Sequence, residues 1–540
     1  MQIVTFLGFT ILVAVIAYLK TRNTDESSSD GYFLGGRSLT GVVIAGSLLL
    51  TNLSTEQIVG LNGAAFKEGI LVMAWETIAA IAMVITAVFL LPRYLKGGIT
   101  TVPQFLERRY DKATKTITSG LFLSGYVVVL LPIVLYSGAL AINTMFNVPE
   151  LLDVSETKAL WITVWGIGII GSIYAIFGGL KAVAVSDLIN AIGLLIGGLM
   201  IPFFGLYAIG DGSITEGIST LINTNPQKFN SIGGPKASVP FGTIFTGMML
   251  VNLFYWGTNQ AIIQRALGAK NLKEGQKGLI LASFIKILGP LIVVLPGVIA
   301  FHMFGGTLEN PDEAYPMLVT KVLPSYLVGF FAAVLFGAIL SSFNSALNSS
   351  VTLFGIDIYK SHIKKDATEK QTVFAGKSFG VILAILSMCI APLIANAPDG
   401  LFGYLQEVNG CYSIPILTII VVGYLTKYVP AIAAKVAIIV GVVLYSISQF
   451  IIKPTFNVVE IIDGVETVTG NEYPHFLHVM AILFVLNVII MLVIGKLKPR
   501  ATAYEQVYTN QVDIKPWKYL KVTGIAVCAI VIGIYIYFAQ

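Results

Sequence analysis

Long apolar runs make up most of the chain, and short polar segments separate them. A helix that crosses the hydrocarbon core of a bilayer needs about 20 apolar residues. The strands of a transmembrane barrel instead show alternating segments of about ten residues. Because the runs are long and continuous, they predict membrane-spanning helices. We place fourteen spans near 3–19, 40–64, 69–95, 116–146, 159–178, 183–209, 239–262, 278–303, 324–359, 373–397, 400–425, 431–452, 474–495 and 519–538.

The distribution of lysine and arginine predicts the orientation of these spans, because cytoplasmic loops of membrane proteins are enriched in basic residues. With the N-terminus outside, the predicted inner segments carry 27 of the 34 basic residues and the outer segments carry six, while Lys286 lies within a span. A different number of spans would reverse every later loop and destroy this asymmetry. We therefore predict an all-α polytopic membrane protein with fourteen transmembrane helices and both termini outside.

The composition excludes several classes of function. Of the 540 residues, 56% are hydrophobic and only 12% are charged, whereas a soluble domain has about 25% charged residues. A water-soluble enzyme is excluded as the whole chain. Walker and HExxH patterns are absent from the sequence, so we expect no enzymatic activity and no organic cofactor. Lysine and arginine form no long blocks, so we expect a lipid bilayer around the protein and no nucleic-acid partner.

Polar side chains at membrane depth are candidates for function, because an ionisable group there costs several kcal/mol unless it is paired or hydrated. Such side chains can also serve only to hold helices together. Their concentration in a few spans favours a binding site. The ionisable candidates are Glu56, Glu76, Asp187, Lys286 and Glu407, and the amides are Asn52, Gln57, Asn252, Asn259, Gln260 and Gln406.

Two polar segments, 51–57 and 252–260, interrupt apolar runs near their middle. Irregular backbone at membrane depth is tolerated only where it lines a cavity or is buried in protein. Broken helices of this kind hold substrates and ions near the midplane of secondary transporters. The two segments lie five spans apart, as a five-plus-five inverted repeat requires. The pattern therefore predicts a transporter with two broken helices.

A serine-rich segment, 336–350, supplies a third candidate feature. Ser341 and Ser345 are four residues apart and share a helix face. Hydroxyls and freed carbonyls are hard oxygen ligands that suit a small cation such as Na⁺. Small residues are equally typical of close helix–helix interfaces, so the residues alone leave both interpretations open.

These segments belong to a set of linked motifs that runs through most of the chain. The motifs are GYFLGGRSL at 31–39, TNLSTEQIVG at 51–60, YAIFGGLKAV at 174–183, NLFYWGTNQAIIQR at 252–265, AILSSFNSALNSS at 338–350 and DIYK at 357–360. Together they resemble the solute:sodium symporters of the sodium–sugar (SGLT-type) branch, which includes bacterial sodium/galactose transporters.

The resemblance implies the leucine-transporter type of fold, with one extra helix before two five-helix repeats and three helices after them. The extra helix would lie in 1–22, the repeats in 40–209 and 239–425, and the last three helices in 431–540. The resemblance also implies Na⁺-driven uptake of a hexose by alternating access. A multi-pass protein of the bacterial inner (plasma) membrane is expected.

The resemblance further implies a sugar site. Amides and a carboxylate bind ring hydroxyls, and Glu76 and Lys286 would offset each other's charge. Tyr255 would stack beneath the sugar as an inner gate, flanked by Trp256, and an ordinary helix-packing aromatic is the less favoured interpretation. The implied substrate-binding residues are Asn52, Gln57, Glu76, Asn252, Lys286 and Gln406.

A sodium site is implied in the same way. Asp187 would lie on the sodium exit route, and with Ser345 it would support a second sodium. The implied ligands of the first Na⁺ are the carbonyls of Leu50, Leu53 and Ala338 and the hydroxyls of Ser341 and Ser342.

Two departures from the family pattern leave the sugar open. Ala79 stands where galactose-transporting relatives carry a serine, and Trp75 stands where they carry a tyrosine. Galactose, glucose and myo-inositol or a related polyol all remain compatible with the residues. A non-transporting sugar sensor on the same fold and a proton-coupled carrier are the alternatives.

Overall fold

The computed structural model of the chain describes residues 2–21, 28–306, 308, 310–396, 401–462 and 465–539. The described residues do not include Arg22, the last residue of the predicted span 373–397 or the first residue of the predicted span 400–425. Within the YAIFGGLKAV motif, the backbone is described, but the side-chain environment of residues 174 and 177–179 is not. The described helices are Gln2–Thr21, Ser29–Leu34, Gly41–Asn52, Thr55–Glu68, Ala74–Ile85, Leu91–Gly97, Val102–Arg109, Lys112–Gly125, Leu131–Phe146, Val148–Leu152, Glu156–Ile209, Ile214–Thr224, Phe241–Ile244, Gly247–Gly257, Gln260–Leu267, Leu272–Val293, Leu295–Phe304, Ala314–Val322, Ser325–Thr352, Glu369–Ile390, Leu401–Leu425, Ala431–Ser446, Phe476–Leu497 and Leu520–Phe538.

Wider helical turns of the π type continue four of these helices without a break, at Thr86–Leu90, Tyr126–Leu130, Leu353–Ile363 and Ile447–Ile452. The strands described form one antiparallel hairpin, Asn457–Ile462 with Val465–Asn471. The hairpin lies in a segment that the sequence predicts to be an outer loop.

Ten helices of the described chain are long and apolar enough to cross a membrane. The chain is therefore a helical multi-pass membrane protein. The run 3–19 and the first half of the interrupted span 40–64, Gly41–Asn52, form shorter apolar helices, whereas the second half of that span begins the candidate Thr55–Gly97. The interrupted span 239–262 is built from short helices and is not among the ten. The count of fourteen and the placement of both termini outside remain predictions.

The structure differs from the prediction at spans 159–178 and 183–209, because one continuous helix runs from Glu156 to Ile209. No proline lies between residues 156 and 201 to interrupt its hydrogen bonds. At 1.5 Å per residue it extends over roughly 80 Å, more than twice the roughly 30 Å hydrocarbon core. Its part Leu180–Ile209 is long and apolar enough to cross on its own.

We call Gly41–Asn52 with Thr55–Glu68 the first broken helix, and Gly247–Gly257 with Gln260–Leu267 the second broken helix. Each joins two buried apolar clusters. In the first, Leu48 and Leu49 belong to one cluster, whereas Leu50 and Leu53 belong to the other. The interruptions therefore lie between two apolar cores, where polar groups can face inward.

An extended segment, 500–517, crosses one end of the helical assembly and ties several elements together. We call it the strap. All the segments that it bonds are predicted to lie on the inner side of the membrane, so the structure gathers them at one face. Its hydrogen bonds are Arg500 N to Tyr428 O (2.9 Å), Tyr504 N to Lys427 O (2.9 Å), Gln506 Nε2 to Arg93 O (2.6 Å), Thr509 N to Lys96 O (3.1 Å), Leu272 N to Asp513 O (2.8 Å) and Trp517 N to Gln276 Oε1 (2.8 Å).

Beneath the strap, the buried guanidinium of Arg109 closes the end of helix Leu401–Leu425. It donates to the carbonyl oxygens of Gly423 (2.8 Å), Thr426 (3.0 Å) and Val429 (3.0 Å). Carbonyls at a helix C-terminus have no partners within the helix. One planar five-donor group satisfies such a carbonyl on Gly423 and two carbonyls of the segment that follows the helix, which a lysine ammonium cannot do in the same geometry.

We expect Arg109→Met to lower the free energy of unfolding by about 2–4 kcal/mol, because buried carbonyls lose their donors. The thermal unfolding midpoint of the purified protein in detergent measures this. Arg108→Met is the control, since Arg108 is exposed and its loss should cost under about 1 kcal/mol. Equal midpoints for the two variants would contradict the assigned role.

Candidate functional site

The first broken helix is interrupted at two residues. Leu53 (φ −76°, ψ 57°) and Ser54 (φ −84°, ψ 175°) leave the helical region between its two halves. The last carbonyls of a helix have no amide partner within it. Thr51 and Asn52 supply polar side chains at this point. The predicted interruption of 51–57 is confirmed, and it presents freed carbonyl oxygens at membrane depth.

The second broken helix is interrupted at Thr258 (φ −134°, ψ −20°) and Asn259 (φ −66°, ψ 119°). The Asn259 Oδ1 atom accepts from the backbone N–H of Ala261 (3.0 Å) and from the Tyr126 hydroxyl (2.6 Å). This side chain therefore caps the second half of the helix and anchors it to a neighbouring helix. The predicted interruption of 252–260 is confirmed.

A cavity lies between the two interruptions. Both broken helices and helix Leu401–Leu425 contribute to its walls. The predicted site residues that line it are Asn52, Gln57, Asn252, Tyr255, Trp256 and Gln406, together with the two departures Trp75 and Ala79.

Sequence reasoning missed other residues of the same wall. Glu56 and Asn259 were recognised as polar groups at membrane depth but were not placed in the site. Asn409 follows Gln406 by three residues, so the helical repeat could have found it. The remaining lining residues are Leu130, Val251, Phe402, Leu405 and Tyr412.

Glu76 and Lys286 do not line the cavity themselves. They form an ion pair behind it, with 0% and 1% of the side chain exposed. The Lys286 ammonium donates to one carboxylate oxygen of Glu76, and the Gln57 amide donates to the other. The predicted pairing of the two charges is therefore present, and the Gln57 side chain connects the ion pair to the cavity wall. Gly289 makes room for the pair, since a Cβ there would lie 2.2 Å from Glu76 Oε2.

Aromatic side chains form part of the cavity wall. Tyr255 is half-buried and packs edge-to-face on Trp256, with 5.2 Å between ring centroids. Tyr255 and Asn52 both line the cavity, so side chains of the two broken helices share its wall. Trp75 packs edge-to-face on Phe402 at 5.3 Å. The cavity thus combines amide groups with apolar ring faces.

The serine-rich helix Ser325–Thr352 meets the first interruption. The Ser342 hydroxyl donates to the Thr51 carbonyl (3.0 Å), and the Thr51 hydroxyl lies 3.4 Å from Ser341 Oγ and 3.0 Å from Ser345 Oγ. Leu50, Leu53 and Ala338, whose carbonyls complete the predicted ligand set, are buried in one apolar cluster. The sequence prediction does not include Thr51 among the residues of this site. Its position at the interruption is the signal that could have identified it.

Asp187 and Ser345 are connected through a buried arginine that the sequence prediction did not use. Asp187 accepts from the Ser47 hydroxyl (2.6 Å), and Arg265 donates to the same hydroxyl (3.3 Å). Arg265 also donates to Ser345. The predicted sodium-exit residue therefore has a cationic neighbour, and the Ser345 hydroxyl is in contact with a guanidinium.

This geometry defines a class of protein. Two interrupted helices face one amide-lined cavity at membrane depth, and freed carbonyls and hydroxyls converge beside it. Such an arrangement is suited to a polar solute and a hard cation together, and it is typical of secondary transporters.

Comparison with known proteins gives the family. The chain belongs to the sodium:solute symporter family, whose model matches residues 32–441. It is 50% identical over 535 residues to the "Uncharacterized symporter YidK" of Escherichia coli (strain K12), covering 99% of this chain and 90% of that protein. It is 32% identical over 470 residues to the "Sodium/glucose cotransporter" of Vibrio parahaemolyticus, covering 82% and 84%.

A solved structure shares the fold. It is titled as the substrate-bound outward-open state of a Na⁺-coupled sialic acid symporter, and it matches with a TM-score of 0.77 at 20% identity. The match covers 93% of this chain and 98% of that one. The protein is therefore a Na⁺-coupled solute symporter with a transporter fold, and the predicted resemblance is confirmed.

We expect Lys286→Met to destabilise the protein by about 3–5 kcal/mol, because it leaves the Glu76 carboxylate buried without its partner. The double variant Glu76→Gln/Lys286→Met should recover most of that stability. Thermal unfolding in detergent measures both. Lys277→Met is the matched control, because its exposed pair with Glu274 should be worth under about 1 kcal/mol. A double variant no more stable than Lys286→Met would contradict the assigned pairing.

Proposed function

We propose that this symporter couples inward Na⁺ movement to uptake of a hexose, galactose or glucose, by alternating access. The observation that supports the proposal most directly is the cavity itself. Its amides, Asn52, Gln57, Asn252 and Gln406, both donate and accept hydrogen bonds, as ring hydroxyls require. The aromatic faces of Tyr255 and Trp256 offer an apolar surface for the C–H face of a pyranose. The printed name of the Vibrio parahaemolyticus relative, a sodium/glucose cotransporter, agrees with this class of substrate.

In this proposal the coupling ion binds where the serine-rich helix meets the first interruption. The carbonyls of Leu50, Leu53 and Ala338 and the hydroxyls of Ser341 and Ser342 would hold Na⁺. Two of these residues, Leu50 and Leu53, flank Thr51 and Asn52 in the chain. An ion bound there would fix the backbone that presents Asn52 and Gln57 to the sugar.

Sodium and sugar then promote each other's binding, and the coupling free energy is reciprocal. The membrane potential supplies about 2.3 kcal/mol per charge per 100 mV for the inward movement of Na⁺. Tyr255 and Trp256 would act as the gate on the route out of the cavity. Asp187 would assist sodium release, and together with Ser345 it is the candidate for a second sodium.

A second candidate function is Na⁺ symport of another polyol such as myo-inositol, or sugar sensing without transport. Ala79 favours the first, because it lines the cavity with a methyl group where galactose-transporting relatives have a hydroxyl. Fourteen spans, the repeats 40–209 and 239–425, and a bacterial inner membrane with both termini outside complete the proposal.

Uptake of radiolabelled galactose and glucose into proteoliposomes of the pure protein tests the proposed function. With an inward Na⁺ gradient we expect accumulation above the external concentration, and with an equal K⁺ gradient we expect none. Absence of uptake for both hexoses would contradict the hexose proposal. Uptake of myo-inositol would then support the polyol alternative, whereas Na⁺-dependent sugar binding without any uptake would support a sensor.

We expect Ser342→Ala to raise the Na⁺ concentration for half-maximal uptake by tenfold or more, because a ligand oxygen is lost. The Na⁺ dependence of initial uptake rates measures this. Ser350→Ala is the matched control, since the Ser350 hydroxyl bonds only the carbonyl of Ala346 in its own helix. Unchanged Na⁺ activation of Ser342→Ala would exclude Ser342 from the site.

A further inference from the structure

One carboxylate in the cavity wall has no assigned role. Glu56 lines the cavity and has 7% of its surface exposed, and its Oε2 atom is buried without a hydrogen-bond partner. None of the ion pairs in the described part of the chain includes Glu56. Most buried polar atoms in proteins have a partner. An unpartnered carboxylate oxygen in a cavity wall therefore indicates a ligand that supplies a donor.

The position of Glu56 keeps it suited to accept hydrogen bonds. It lies in the first turn of helix Thr55–Glu68, where the helix dipole and free N–H groups stabilise an anion. The hydroxyl of Ser54, the residue before this helix, donates to the Asn52 carbonyl (3.4 Å) and not to the Glu56 carboxylate. The start of this helix thus stabilises the Glu56 carboxylate and leaves its Oε2 atom able to accept a hydrogen bond.

The other buried charges near the cavity are balanced. Glu76 is paired with Lys286. Asp187 faces Arg265 across the Ser47 hydroxyl. Glu56 is therefore the one carboxylate among the cavity-lining residues, and none of those residues offers a basic side chain to pair with it.

We propose that Glu56 is a specificity-determining residue, which accepts hydrogen bonds from hydroxyl or ammonium groups of the solute and excludes sugar acids. The inference rests on the proposed function and narrows its substrate class to uncharged polyols and amino sugars. An anionic solute would place a second carboxylate beside Glu56 in a cavity whose lining offers no basic side chain. Like charges in such a site repel strongly.

This preference separates the chain from the solved structure that shares its fold. That structure is described as a sialic acid symporter, and sialic acid is an acidic sugar. The likeness at 20% identity concerns the fold alone. In this chain, a single carboxylate in the first broken helix sets the charge of the acceptable solute.

Inhibition of Na⁺-driven hexose uptake in proteoliposomes tests the inference. For the wild-type protein we expect glucosamine to inhibit within tenfold of glucose or galactose, and glucuronate to inhibit at least 100-fold more weakly. In Glu56→Gln the relative potency of glucuronate should rise at least tenfold, and that of glucosamine should fall. The Na⁺ concentration for half-maximal uptake should stay within twofold.

The control is Glu407→Gln. Glu407 lies next to Gln406 on helix Leu401–Leu425 but outside the cavity lining, paired with Lys453 at 2.6 Å. The variant removes the same charge from the same region, so its inhibition profile should match the wild-type profile. An equal shift in this control would show that the effect is not local to the cavity.

Several outcomes would overturn the inference while leaving hexose transport intact. The first is that glucuronate inhibits the wild-type protein as strongly as glucose does. The second is that the inhibition profile of Glu56→Gln is unchanged. The third is that this variant loses Na⁺ activation without a change in its inhibition profile, which would make Glu56 an ion ligand. If wild-type protein transports neither hexose, the proposed function fails instead. In that case the thermal unfolding midpoint of the wild-type protein is measured in Na⁺ with myo-inositol, glucosamine or glucuronate. A larger stabilisation by glucuronate than by the other two solutes would overturn the inference. That wild-type measurement also decides the case in which Glu56→Gln does not fold.

Discussion

The need to satisfy backbone polar groups away from water is the constraint on which this structure depends. In a bilayer an unpaired carbonyl or amide costs several kcal/mol, so a helix can be interrupted only where protein groups replace the lost bonds. At the first interruption the Ser342 hydroxyl donates to the Thr51 carbonyl. At the second, Asn259 caps the following half-helix. The cavity lies between these same two interruptions, and both broken helices contribute to its wall.

Buried charge obeys a related rule, and it organises the surroundings of the cavity. Glu76 and Lys286 are nearly inaccessible to water, and they are held together with the Gln57 amide. The pair therefore fixes the orientation of a side chain that lines the cavity, although neither of its members lines the cavity itself. Arg265 has a similar position near the serine-rich helix, where it joins Ser345 to Ser47 and hence to Asp187.

The sequence could predict the features that depend on the residues of a single segment. Polar residues within apolar runs predicted both interruptions, and they identified Asn52, Gln57, Asn252 and Gln406, which share one cavity. Features that need a tertiary partner were missed. Thr51 and Arg265 gain their roles from helices far away in the chain. The sequence predicted a division between spans 159–178 and 183–209 that the structure does not show, because apolar residues around Lys181 carry no signal that distinguishes a loop from a continuing helix.

The strap has a consequence for how motion at the predicted inner face can be observed. The backbone amide hydrogens of Arg500, Tyr504 and Thr509 are donated to carbonyls of other segments, rather than to an element of their own. Hydrogen exchange at such amides requires those contacts to open. Their exchange rates therefore report the separation of the strap from the ends of the transport helices. Deuterium uptake at these three amides would thus measure opening of the predicted inner face without any attached probe.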